Sequence, residues 1–212
     1  MMRYYRVVLV GALALSLVLC TAAAATVVIN EVDYDQPGTD TAEFIELYNN
    51  GIETVDLTGY VLRLINGATN LEYLAIDLSG YSIAPGGFFV ICANSDFTPY
   101  CNLDISPDTN LIQNGAPDAM ALFNGAVIVD ALSYEGVVPG YGEGASAPAD
   151  TGADPFVSLC RLPDGADTDD NAADFSLRCA TPGEANAVQN TNCFDPVPTD
   201  EAAWGTFKAN YR

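Results

Sequence analysis

Two short apolar runs near the start of the chain constrain its fold most strongly. Residues 27–32 and 44–48 are rich in β-branched and aromatic side chains, and the polar loop between them contains Pro37 and Gly38. Runs of this composition favour β-strands, whereas proline and glycine favour turns. The stretch therefore predicts a strand, a loop and a second strand.

Polar residues interrupt these two apolar runs. Asn30 and Glu31 lie in the first run, and Glu43 and Glu46 lie at the second. Burial of an unpaired carboxylate is costly, so each must face water or find hydrogen-bond donors. We interpret the four residues as a structural polar motif in which the acids accept hydrogen bonds from backbone amides, from Asn30 or from tyrosine side chains.

Eight apolar runs occur at spacings near ten residues, divided by turn signals. They cover residues 27–32, 44–48, 55–64, 71–78, 88–92, 119–123, 126–134 and 156–162. Asn124-Gly125 between two runs is a strong hairpin signal. No segment keeps a helical period over ten residues. The pattern predicts an all-β fold, an Ig-like antiparallel β-sandwich of about eight strands with long loops.

The N-terminus resembles an export signal. Arg3 and Arg6 precede an apolar run at 7–19 and small residues at 22–25, which predicts a signal peptide at residues 1–25 and a secreted or cell-surface protein. A membrane anchor is the alternative, but the run is short of the roughly 20 residues that span a bilayer. A lipoprotein would be modified at Cys20, but Leu19 stands before it, where a small residue is expected.

The charge of the chain excludes some partners. Without residues 1–25 it keeps all 28 acidic residues and five of the seven basic ones, a formal net charge of −23. Nucleic acids and anionic membranes require clustered lysine and arginine, so neither is an expected partner after signal cleavage.

Five cysteines remain after the predicted cleavage. Export favours disulfides, and proximity along the chain predicts Cys92–Cys101 and Cys160–Cys179, which leaves Cys193 unpaired. Pairing of Cys179 with Cys193 would leave Cys160 free instead. Spacing alone does not decide between these connectivities.

Several motifs, in order, resemble the lamin tail domain family, in particular its secreted bacterial members. They are N-E at 30–31, E-F-I-E-L-Y-N at 43–49, D-L-T-G-Y at 56–60, A-P-G-G-F at 84–88, V-D-A-L-S-Y at 129–134, and a closing segment with Arg161, Asp164-Gly165, Asn171, Asp174-Phe175 and T-P-G at 181–183. The resemblance covers residues 26–187 and implies an Ig-like fold without a known catalytic site, which mediates binding.

Residues 188–212 read as a linker and tail. The ending W-G-T-F-K-A-N-Y-R resembles C-terminal tails of some secreted bacterial proteins and is either a sorting tag or a segment that docks on the sandwich.

The absence of histidine excludes histidine-dependent catalysis. The remaining catalytic candidate is a carboxylate pair, Glu31 with Glu46 across neighbouring strands. An acidic loop offers oxygen ligands for Ca²⁺ from Asp164, Asp167, Asp169, Asp170 and Asp174; alternatively, Asp170 or Asn171 caps a short helix.

Together these observations predict a non-catalytic module that binds a protein or glycan outside the cell or builds the cell surface. It requires no cofactor, with Ca²⁺ the one candidate. The alternative is a carboxylate-based or Ca²⁺-dependent extracellular hydrolase.

Overall fold

The computed structural model describes residues 1, 2 and 26–194, and its regular structure is almost entirely β. The predicted signal peptide from residue 3 onward and the tail from residue 195 lie outside the described residues. In chain order the elements are β1 (Val27–Asp33), β2 (Phe44–Asn49), β3 (Val55–Asp56), β4 (Tyr60–Asn66), β5 (Leu71–Asp77), β6 (Ser82–Ile83), β7 (Phe88–Cys92), β8 (Cys101–Asp104), β9 (Asp118–Asn124), β10 (Val127–Tyr134), β11 (Val157–Arg161), α1 (Asn171–Asp174) and β12 (Phe175–Cys179).

Two larger sheets form the predicted β-sandwich. One has the order β12-β11-β1-β2-β7-β8 and the other the order β10-β9-β4-β5, while β3 and β6 form a small separate pair. Strand pairs are antiparallel except β7 with β8, which run parallel. The predicted all-β, Ig-like class is confirmed.

The core lies between the two larger sheets. Ile29 and Leu47 come from the first sheet and Leu62 and Leu122 from the second, all fully buried in one apolar cluster. Tyr34 packs on Tyr134, with their ring centroids 4.4 Å apart. Burial of such side chains provides most of the favourable free energy of folding.

The predicted hairpin at Asn124-Gly125 is confirmed, since β9 and β10 pair on either side of it. Gly125 has φ of 60°, a conformation that glycine adopts without the steric cost other residues carry.

Strand boundaries differ from the prediction in three places. The run at 55–64 is divided into β3 and β4, because Gly59 turns the chain with φ of 87°. β11 is not the last strand, since β12 pairs beside it. The irregular segment after Cys92 contains β8, which is too short to show an alternating pattern.

One predicted disulfide is present and the other is wrong. Cys92 bonds Cys101, but Cys179 bonds Cys193, and Cys160 is a buried free thiol. In the β11–β12 register Cys160 lies opposite Ser176, whereas Cys179 lies opposite Val157. The two cysteines are therefore three residue pairs apart, about 10 Å along the strands, which is too far for a disulfide.

β5 forms one edge of the four-stranded sheet, since among the described strands it pairs with β4 alone. Most of its side chains are exposed or half-buried, and Leu71 is 65% exposed. Within the described residues, no helix has the length and apolar character needed to cross a bilayer.

Candidate functional site

A segment without regular structure, residues 110–117, is fixed to the sandwich by buried side chains. The Glu43 carboxylate accepts hydrogen bonds from the backbone N–H groups of Leu111 (2.6 Å) and Ile112 (3.0 Å). Burial raises the pKa of Glu43 to about 8, against the opposing effect of these two N–H donors. Glu43, one residue of the predicted polar motif, thus anchors the start of this segment.

Gln113 is held from three sides. Its N–H donates to the Tyr73 hydroxyl (3.0 Å), its carbonyl accepts from the Tyr134 hydroxyl (2.7 Å), and its side-chain oxygen accepts from the Asn66 amide (2.6 Å). These contacts join the segment to β4, β5 and β10 of the four-stranded sheet. A loop so fixed presents its polar groups with little conformational freedom left to lose on binding.

The end of the segment is fixed by Asp118. Its carboxylate accepts from the N–H groups of Gly67 (2.9 Å) and Gly115 (3.2 Å), and burial raises its pKa. Gly67 allows this approach, because a Cβ built there would lie 2.1 Å from the carbonyl oxygen of Pro117.

Between these anchors lies an open groove of about 370 Å³, which we call the amide groove. Its lining residues are Asn66, Ala68, Asn110, Ile112, Gln113, Asn114, Gly115, Ala116, Pro117 and Asp118. Asn110 and Asn114 are exposed. The groove offers neutral amides, which donate and accept hydrogen bonds, and a single carboxylate on a strongly acidic protein.

The other residues of the polar motif lie on the outer face of the six-stranded sheet. Glu31 and Glu46 are register partners on β1 and β2, as the carboxylate-pair hypothesis required. Glu31 accepts from Ser158 and from the N–H of Thr181, and Glu46 accepts from Asn30 and from the N–H of Gly183. These contacts bind the chain at 181–183 over the sheet.

Burial raises the pKa of Glu31 to about 7 and holds that of Glu46 well above its ordinary value. Two neighbouring carboxyls with raised pKa values are also a feature of acid–base sites. Here, however, both side chains are fully buried, and neither lines the amide groove or the other described cavity. Neither of these two cavities therefore provides a substrate cleft beside the pair.

Four of the five predicted Ca²⁺ ligands contact other groups, with Asp167 and Asp174 sharing Arg161, and Asp169 is exposed. Asp164 accepts from Asn30 and Asn186, Asp167 accepts from the N–H of Asp169, Asp170 caps α1 through the N–H of Ala172, and Asp174 pairs with Arg161 and Thr168. The alternative role of Asp170 as a helix cap is thus present. Calcium binding by this loop stays a prediction.

Another acidic group surrounds Arg161. Carboxylate oxygens of Asp130, Glu143 and Asp167 lie within 4.8 Å of one another. The fully buried Arg161 guanidinium contacts all three, at 2.8, 3.8 and 3.5 Å, and Asp174 at 3.0 Å. Burial raises the pKa of Asp130 to about 6, while Arg161 opposes that effect. Arg161 supplies the positive charge that a metal ion would otherwise provide.

Neither Arg161 nor the amide groove was identified as a central feature from sequence. The sequence did contain a signal for Arg161, which is one of few basic residues and lies within the apolar run at 156–162. The groove residues form no known sequence motif, and their asparagines predict ordinary turns.

The class that emerges is an antiparallel β-sandwich that bears a preorganised polar groove on its loops. A family model described as Lamin Tail Domain matches residues 21–136, more than half of the chain. The protein therefore belongs to the lamin tail domain family, whose Ig-like domains are generally non-enzymatic and act as binding or structural modules. No curated protein matches the chain.

Proposed function

We propose that this protein is exported and acts outside the cell as a non-catalytic binding module whose amide groove takes a neutral glycan. The observation that carries the proposal is the amide groove itself, with exposed amides on a segment that Glu43, Gln113 and Asp118 hold rigid. Sugar hydroxyls both donate and accept, as side-chain amides do. The volume of about 370 Å³ is within the range of small-ligand sites.

Export is supported by the two disulfides, since such bonds persist in oxidising compartments. The predicted signal peptide and the resemblance to secreted bacterial members agree with it. A partner protein at the same groove and a purely structural role at the cell surface are the alternatives that the test separates.

The test is titration of the full chain with a panel of neutral oligosaccharides, followed by NMR. Binding should shift signals of residues 110–118, and the double variant Asn110→Ala, Asn114→Ala should weaken it at least tenfold. Gln189→Ala removes an exposed amide outside the groove and should leave affinity unchanged. If no sugar binds while a partner protein shifts the same signals, the glycan assignment is wrong and the groove is a protein site.

A hydrolase is the remaining alternative, and the same samples test it. We expect no cleavage products after prolonged incubation with each oligosaccharide. Cleavage that disappears in Glu46→Gln would establish the carboxylate-pair enzyme in place of the binding module.

A further inference from the structure

A second, smaller cavity combines a buried acid with an apolar wall. It has a volume of about 30 Å³ and is lined by Asp33 together with Phe44, Phe97, Pro99, Phe156 and Pro182, among others. We call it the Asp33 pocket. It shares no lining residue with the amide groove.

Asp33 is 2% exposed, and its Oδ1 has no hydrogen-bond partner among the described residues. Asp150 interacts electrostatically with it and has an unpartnered buried Oδ2 of its own. Native proteins rarely leave buried carboxylate oxygens without donors, because the loss of hydration is then uncompensated. Asp33 lines the pocket and Asp150 does not, so the unpartnered Asp33 oxygen is the observation that points to a donor or cation in this cavity.

The wall of the Asp33 pocket suits an alkyl chain that carries a positive charge. Phe97 is 59% exposed, Phe156 is half-buried, and both rings border the cavity. Aromatic faces attract cations, and apolar walls accommodate methylene groups. Hydrated Ca²⁺ or Mg²⁺ would instead require several oxygen ligands, which this wall does not offer.

The size of the pocket selects among organic cations. Its volume of about 30 Å³ is close to the volume that one molecule occupies in liquid water. A lysine ammonium is a compact charge on a flexible stem, whereas the planar guanidinium of arginine is larger. The pocket therefore fits an ammonium group.

The surrounding chain holds the wall in place. The Cys92–Cys101 disulfide closes the loop that bears Phe97 and Pro99. Within that loop the Thr98 hydroxyl donates to the carbonyl of Ala42 at 3.2 Å. On the opposite side the N–H of Ala180 donates to the carbonyl of Phe156 at 2.9 Å. Contacts within these two parts of the chain therefore fix the walls of the pocket in the absence of a ligand.

We propose that the Asp33 pocket binds the ammonium group of a lysine side chain on a partner protein. Residues 26–194 contain no lysine, and Lys208 is the single lysine of the chain. The strongly acidic surface attracts basic partners and raises their association rate.

Binding should be coupled to the release of a proton. Burial raises the pKa of Asp33 well above its ordinary value, Asp150, Glu31 and Glu43 raise it further, and Gln36 opposes them. The Asp33 carboxyl therefore keeps its proton to a higher pH than an exposed aspartic acid does when the pocket is empty. An incoming ammonium favours the carboxylate, so binding releases a proton from Asp33 and strengthens as the pH rises.

The test titrates the full chain with Nα-acetyl-lysine N-methylamide, followed by NMR and calorimetry. Signals of Asp33, Phe97 and Phe156 should shift, and the same compound with an acetylated Nε should bind at least tenfold more weakly. Calorimetry in buffers of different ionisation enthalpy should report release of up to one proton. Equal affinity for the two compounds would overturn the proposal.

Variants separate the pocket from general charge attraction. Asp33→Asn removes an unpaired buried acid, so it should fold, lose at least tenfold in affinity and release no proton. Asp35→Asn makes the same charge change two residues away and should bind within twofold of the wild type. Equal losses in both variants would reject the pocket. If the compound binds Lys208→Ala but not the wild type, the chain's own tail is the occupant and the partner assignment is wrong.

Discussion

At the scale of single residues, the fully buried Arg161 connects several parts of the interior. Its guanidinium donates to the carbonyls of Ile29 and Ala166 as well as to Asp130 and Asp174, and it lies 4.5 Å from the centre of the Phe175 ring. One side chain on β11 therefore joins β1 and β12 of the six-stranded sheet to β10.

Arg161→Ala should destabilise the fold by about 3–5 kcal/mol, because it leaves buried carboxylates without their counter-ion. Chemical denaturation at pH 7 measures the change. Arg178→Ala, on the neighbouring strand, removes a partly exposed arginine with contacts to Ser176 and Val188, and should cost far less. Equal losses in the two variants would contradict a special role for Arg161.

At the scale of elements, the close packing of the turn at Gly67 against Pro117 shapes the amide groove. Gly67→Ala should lower stability by about 1–3 kcal/mol, since a methyl group there must displace backbone. It should also move the groove segment and weaken ligand binding. The measurement is chemical denaturation together with the oligosaccharide titration.

Gly115→Ala is the matched control for that prediction. Gly115 lines the same groove, but the nearest atom to an added Cβ is the Asp118 Oδ2 at 3.5 Å, an ordinary contact. It should therefore alter stability little. If Gly115→Ala is the more damaging change, the packing account of the groove is incorrect.

At the scale of the whole molecule, buried acids set the pH dependence of stability. Burial raises the pKa of Asp130 and Asp150 to about 6, Glu31 to about 7, and Glu43 and Glu143 to about 8. Between the unfolded pKa near 4 and these values, the folded state binds more protons than the unfolded one. For these groups the stability is therefore highest below about pH 4, falls as the pH rises from there through the folded pKa values of 6–8, and levels off above them.

We expect the melting temperature to be lower at pH 8.5 than at pH 5. A net loss of about 2 kcal/mol would lower it by about 4–8 °C in a domain of this size. Calorimetry across that range, at constant ionic strength, measures the shift. A melting temperature that rises with pH would show that the buried acids are ionised and paired in the folded state.

Calcium is also tested on the whole molecule. Arg161 neutralises the acidic group around it, and four of the five loop aspartates already have partners. We therefore expect EDTA and millimolar Ca²⁺ to give nearly the same melting temperature. A bound ion at 100-fold excess would add about 2.7 kcal/mol. Such a shift, lost in Asp167→Asn with Asp169→Asn, would establish the loop as a Ca²⁺ site.

Sequence patterns predicted the local features well. Apolar runs between turn signals, together with the Asn124-Gly125 turn, identified most strands of both sheets and the hairpin, though not β8 or β12, because these features depend on neighbouring residues. The Cys160–Cys179 error has a different origin, since strand register is a contact between distant residues. The same holds for the groove, where Glu43 reaches Leu111 across 68 residues of sequence.

The exposed edge of β5 bears on the behaviour of the protein in concentrated solution. An unpaired strand edge is a template on which a second chain can add its own strand. Glu72 and Asp77 on this strand are exposed acidic residues, and Glu72 pairs with Arg63 at 3.2 Å, which leaves the Asp77 end of the edge the more negative. Two copies that approach edge to edge therefore bring like charges together before their backbones meet. The acidity of the surface thus opposes aggregation, and this protection weakens in high salt, where the charges are screened.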